Sequence, residues 1–129
     1  MNAIEEIKAK LQKYPQATYE YSGNCIRVLP ATQKGFTVEL FDQKVRYEVY
    51  FNGWHEYFTD KEEALNCFAF GLSTDCRLKV FRRGSFEYKW TFEYNDEGEW
   101  IEDSTTGLFF TPFWRRKQIV YLQNDLISG

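Results

Sequence analysis

The sequence reads as an α+β domain, with a curved, mainly antiparallel β-sheet carrying two α-helices on one face. Phe86, Tyr88, Trp90, Phe92 and Tyr94 alternate strictly with charged or polar residues. Successive side chains on a strand point to opposite faces, so residues 86–94 make a strand with one ring-lined face. Residues 2–13 and 60–71 instead repeat their apolar side chains at helical spacing. The resulting order is helix, several strands, helix, several strands, which suits helices gathered on one side of an antiparallel sheet.

The first helix places Ile4, Ile7, Leu11 and Tyr14 on one face and Glu5, Glu6, Lys8 and Lys10 over the rest. Glu6 and Lys10 stand four residues apart in the favourable order, and Pro15 stops the helix. Residues 24–29 form a strand closed by Pro30. Residues 36–41 and 45–51 alternate as a hairpin about a turn at 42–44. Asn52-Gly53 turns into a short strand from Trp54 to Phe58. Asp60 caps the second helix, with Glu63 in the capping-box position. Its inward stripe is Ala64, Leu65, Phe68, Ala69 and Leu72, and Gly71 marks the exit. The remainder reads as β: 77–83, a turn at Gly84-Ser85, 86–94, a turn at 95–98, then Trp100-Ile101, 107–111 and 118–122.

A chain of 129 residues can bury a core without staples and is expected to form one domain over 1–129. Aromatic residues make up 19% of it, enough for a ring-packed core or a ring-lined cleft. Most of the five alternating rings are expected inside. Net charge is −3, which gives no bulk attraction to nucleic acid or to an anionic membrane. Cys25, Cys67 and Cys76 form no CxxC pair and cannot all be bridged, so they read as free thiols in a reducing compartment. There is no apolar run near ~18 residues, and no pattern of a signal peptide. The expected location is the cytoplasm.

No constellation for catalysis stands out. Walker, GxGxxG and GxSxG motifs are missing. His55 is the sole histidine. His55-Glu56 begins like a zincin motif, but Thr59 stands where the second histidine belongs. Around Gly98 the acidic stretch 96–103 resembles a calcium loop, but Ser104 occupies the position that needs Glu. Cys67 lies among apolar residues and reads as a small hydrophobe. No metal or cofactor is implied, no catalytic residue is assigned, and the balance leans away from an enzyme.

Two basic clusters, Arg82-Arg83 and Arg115-Arg116-Lys117, adjoin rings. Arg and aromatic side chains dominate interaction hot spots. The first expectation is therefore a small cytosolic module that binds a protein, or a second copy of itself through an edge strand, with Trp54, Tyr57, Trp100, Trp114, Arg115 and Arg116 as exposed anchors. An alternative is a small-molecule binder or enzyme with an aromatic pocket near His55, Glu56, Tyr88 and Trp90. A third is single-stranded nucleic acid held by the Arg–aromatic clusters. The near balance of basic and acidic residues between 77 and 117 argues against an extended electropositive groove.

Overall fold

Helical stripes and alternating strands appear in the expected order. The structure, a computed structural model, describes residues 2–109 and 111–128. Helix α1 (Ala3–Leu11) leads into a five-strand meander: β1 (Thr18–Ser22), β2 (Cys25–Leu29), β3 (Val38–Asp42), β4 (Tyr47–Phe51) and β5 (Trp54–Phe58). Helix α2 (Lys61–Gly71) then connects to β6 (Cys76–Arg83), β7 (Phe86–Asp96), β8 (Glu99–Gly107) and β9 (Lys117–Leu122). All named strand pairs are antiparallel. The fold is α+β, with both helices against one face of the meander. Among the described residues no helix is long and apolar enough to cross a membrane.

The antiparallel strands are divided between two sheets, ordered β1-β2-β3-β4-β5 and β8-β7-β6-β9. At the seam, β5 meets β8 through side chains in place of a backbone ladder. Trp54 Nε1 donates to Ser104 Oγ at 3.0 Å, and the His55 amide donates to Thr106 Oγ1 at 3.3 Å. Polar residues on β8 thus satisfy donors at a boundary where no strand pairing is available.

The helix ends follow cap chemistry. Asn2 Oδ1 accepts from the Glu5 amide at 2.8 Å and starts α1. Helix α1 ends at Leu11, so Tyr14 lies beyond it. Glu6 reaches Lys61 Nζ at 2.6 Å, in place of the expected Lys10, and ties α1 to the start of α2. Asp60 caps α2 by accepting from the Glu63 amide at 3.0 Å. Ala64, Leu65, Phe68 and Leu72 are buried as expected. Ala69 is exposed, and Phe70 turns inward to meet Phe92 with ring centroids 5.8 Å apart. Gly71 is the last helical residue, and its need for glycine is one of packing: an added Cβ would clash with the edge of the Phe51 ring.

Two further differences have local causes. β1 went unread because it is a mostly exposed edge strand with no buried alternating face. β8 is one strand where two pieces, 100–101 and 107–111, were expected. A bulge places the extra residue Asp103 between Glu102, opposite Glu93, and Ser104, opposite Phe92. That breaks the two-residue period on which a strand is recognised. The chain leaves the sheet at Gly107, and Phe110 of the expected 107–111 strand lies outside the described residues.

The core joins both sheets. Phe51 stacks on Trp54 at 4.6 Å, and Phe92 meets Trp54 edge-on at 5.1 Å and Phe51 at 5.4 Å. Phe36 adds a ring 5.4 Å from Phe51. Buried Asn124 holds that corner: Oδ1 accepts from the Phe36 amide, while Nδ2 donates to the carbonyls of Phe36 and Gly71 at 3.1 and 2.9 Å. Along β7, Trp90 and Phe92 are buried, Tyr88 and Tyr94 are half-buried, and Phe86 is 45% exposed. The row of rings is therefore core at its middle and solvent-facing at its tip.

Replacing Trp90 by Ala should cost about 3–5 kcal/mol, read as a lowered urea midpoint; a midpoint that stays put would place the ring outside the core. Gly71→Ala separates packing from propensity. Helix propensity alone would raise stability by about 1 kcal/mol, whereas the clash with Phe51 lowers it. A variant melting above wild type would contradict the packing role.

Candidate functional site

Two connections meet at one end of the second sheet. The first is the β6–β7 hairpin, closed by the pair Arg83↔Phe86 around Gly84-Ser85. Gly84 has φ +63°, a conformation that favours glycine. The second is the segment between β8 and β9. Its backbone folds on itself, with the Phe113 amide donating to the Thr111 carbonyl at 2.8 Å and the Arg115 amide to the Pro112 carbonyl at 2.9 Å. The two connections are then pinned together. The Gly84 amide donates to the Arg116 carbonyl at 2.9 Å, and the Leu108 amide donates to the Tyr88 carbonyl at 2.8 Å.

This end presents apolar side chains to water. Phe86 and Leu108 are nearly half exposed, Phe113 and Trp114 more so, and Phe109 fully. Phe113 and Trp114 pack edge to face with centroids 5.4 Å apart. Scattered surface rings need no explanation, whereas several large apolar side chains exposed at one end of a sheet do. Between the hairpin and the loop lies an open cleft of about 220 Å³ lined by Arg83, Ser85, Phe86, Pro112, Trp114 and Arg115.

The charge pattern separates this end from the neighbouring sheet face. There Arg77 pairs with Glu93 and lies between the rings of Trp100 and Tyr121, at 4.5 and 4.2 Å. Lys79 pairs with Glu102, and Arg82 with Glu87. Among the described residues Arg83, Arg115 and Arg116 pair with no carboxylate. Arg77, Lys79 and Arg82 thus have carboxylate partners within the sheet, and the three arginines of the loop end have none.

The expected anchors divide accordingly. Trp114, Arg115 and Arg116 lie together at this end and are exposed. Trp54 is a correction: it is 1% exposed, because its ring fills the junction of the sheets and its N–H is satisfied by Ser104. Tyr57 is exposed on the outer face of the first sheet, with the Arg46 guanidinium 4.2 Å above its ring. Trp100 is half-buried beneath Arg77. Arg83, Phe86, Leu108, Phe109 and Phe113 were not expected in the site. The Gly84-Ser85 turn announced an exposed hairpin tip at Phe86, but nothing local announced that the later loop would meet it.

The expected pocket residues point to separate places. His55 stacks on Tyr50 at 5.0 Å, meets Tyr57 edge-on at 5.7 Å, and has Nδ1 3.3 Å from the Gly53 carbonyl. Glu56, the next residue on the strand, faces the other way. Burial and nearby Asp103 raise its carboxyl above the ordinary range. Trp90 packs against Gly53, where a Cβ would enter the indole, and its Nε1 donates to Glu87 at 3.1 Å. Tyr88 is the extra residue of the bulge opposite Phe81/Arg82 and packs near Phe81. No group of three or more His, Cys, Asp or Glu side chains suited to a metal forms among the described residues.

The thiols are held protonated. Burial, with Glu56 and Asp103 nearby, pushes Cys67 up to about 12, and burial also raises Cys76. A thiol whose pKa is raised by folding adds stability that is complete below its unfolded pKa and is lost as pH rises through the folded value. Stability should therefore fall above about pH 9, by on the order of 1 kcal/mol per pH unit for each thiol. Urea midpoints at pH 8 and 10.5 check this: the decline should be smaller in Cys67→Ala/Cys76→Ala than in wild type. Equal declines would mean that the thiols ionise as readily in the native state as in the unfolded one.

Comparison of the chain with protein-family models, with curated proteins and with solved structures finds no match in any of the three.

Proposed function

We propose that this chain is a protein-binding module whose working surface is the end of the second sheet formed by the β6–β7 hairpin and the β8–β9 loop. One observation carries the reading. Phe86, Leu108, Phe109, Phe113 and Trp114 stand in solvent beside Arg115 and Arg116, which pair with no carboxylate among the described residues. Folding gains nothing from exposing that much ring surface, whereas a partner that covers it removes it from water. Tryptophan and arginine are the side chains most enriched among residues that dominate binding energy. The chain carries net charge −3 yet gathers cations at this end. A partner with an acidic surface would be steered to it over the rest of the molecule.

A cytosolic setting accompanies this reading, since the cysteines are free and a reducing compartment keeps them so. The role is one of recognition and not of catalysis: the lone histidine stacks on Tyr50 with Tyr57 at its edge, and the protonated buried thiols are poor nucleophiles.

Capture from an extract of the source cell tests the surface. Tagged wild type should retain a partner, Tyr57→Ala on the first sheet should retain it equally, and Trp114→Ala/Arg115→Ala should hold it at least tenfold more weakly. The double variant's melting midpoint checks that it is folded. Undiminished capture by the folded double variant would remove this end of the molecule from the binding role.

A further inference from the structure

The cleft beside the β6–β7 hairpin contains two arginines and no carboxylate. Elsewhere on this sheet arginine is matched: Arg77 has Glu93, and Arg82 has Glu87. Arg83 has no carboxylate partner among the described residues, and its Nε, like that of Arg82, is buried without an acceptor. Its Nη1 reaches the Arg115 carbonyl only at 3.5 Å, the outer limit of a hydrogen bond. Its guanidinium lies 5.8 Å from the Tyr88 ring, a contact that leaves the N–H groups free of acceptors. A buried donor without a partner is costly, and an oxygen supplied from outside would satisfy it.

The cleft is also held in shape before anything enters. Arg83 belongs to β6 and is in register with Phe86 on one side and Lys117 on the other. The Arg115 backbone is fixed by the hydrogen bond its amide donates to the Pro112 carbonyl and by the adjacent one from the Gly84 amide to the Arg116 carbonyl. A Cβ at Gly84 would lie 3.4 Å from Arg115 Cδ, so the hairpin and the arginine stem are already in close contact. A guanidinium presents its donors in a planar fork matched to two oxygens of a carboxylate or phosphoryl group. Ser85 adds a hydroxyl to the cleft, and Phe86, Pro112 and Trp114 supply apolar walls.

We propose that this cleft is an oxyanion site that receives an acidic side chain of a partner polypeptide between Arg83 and Arg115, with the neighbouring apolar residue of that segment against Phe86 and Trp114. The inference rests on the protein-binding reading and names the chemistry of its partner. The shared chemistry is an oxyanion on a peptide, either the carboxylate of Asp or Glu or the phosphoryl group of a modified serine.

Labelled peptides that differ at one position test it. Each carries a Phe followed by Glu, phosphoserine or Gln, and each is titrated by fluorescence anisotropy into the full chain, with inorganic phosphate as competitor. The Glu or the phosphoserine peptide should bind wild type at least tenfold more tightly than the Gln peptide. Arg83→Gln and Arg115→Gln, each melting like wild type, should remove that preference, and phosphate should compete. Preference for Glu identifies a carboxylate-bearing partner, and preference for phosphoserine alone identifies a phosphorylated one. Equal binding of all three peptides, or an acidic preference that survives both substitutions, would overturn the site. If Trp114→Ala/Arg115→Ala then releases the captured partner while Arg83→Gln retains it, the oxyanion site falls and the binding surface stands. Capture that survives all of these variants overturns both.

Discussion

The contact of Phe92 with Phe51 and Trp54 is the interaction on which the rest of the structure depends. The two sheets share no backbone ladder, so side chains must join them. Phe51 and Trp54 come from the ends of adjacent strands in the meander, and Phe92 comes from the middle of β7. Their stacked and edge-on geometries are those that aromatic quadrupoles favour. Helix α2 closes the cluster with Phe70, and its last residue must be glycine because Phe51 occupies the space of a side chain. Phe36 completes the packing only because Asn124 satisfies both its amide and its carbonyl. Hydrophobic burial and hydrogen bonding therefore converge on the same few residues.

That anchorage explains the gradient along β7. The strand is held at Phe92 and Trp90, then runs beyond the area that the meander and helices can cover. Tyr88 sits at a bulge and Phe86 reaches solvent. The loop between β8 and β9 meets β7 at the uncovered end, bonding its backbone to Tyr88 and Gly84. The exposed aromatic end is thus an extension of the core strand and not a separate module.

Electrostatics divides the second sheet into two regions. Arg77 and Lys79 on the outer face, and Arg82 on the opposite one, are paired with carboxylates of the same sheet. The Phe81 ring lies under Lys89 at 4.2 Å and within reach of Lys79 and Lys117. At the loop end the cations have rings beside them but no acids. The near balance of basic and acidic residues between 77 and 117 argues against an extended electropositive groove, and the arginines without carboxylate partners form a local cluster.

By itself the chain determined the type of nearly every element. Period-two alternation specified β7, β3 and β4, apolar stripes specified both helices, and Asp60 announced the start of α2. Such signals are local, because a strand or a helix fixes where neighbouring side chains point. The exposure of Trp114, Arg115 and Arg116 was legible for the same reason, as a polar and aromatic run after a proline. Tertiary structure decided which faces are covered. Trp54 and Trp114 are chemically identical, yet one fills the junction of the sheets and the other stands in water, since burial depends on what packs opposite. The bulge at Asp103 concealed β8 by reversing its side-chain parity. The division into two sheets, and the meeting of Arg83 and Phe86 with Pro112, Trp114 and Arg115, arise from the antiparallel pairings of β7 with β6 and β8 and of β9 with β6. These bring distant segments to one end of a sheet, and no local pattern records where a strand will find its neighbour.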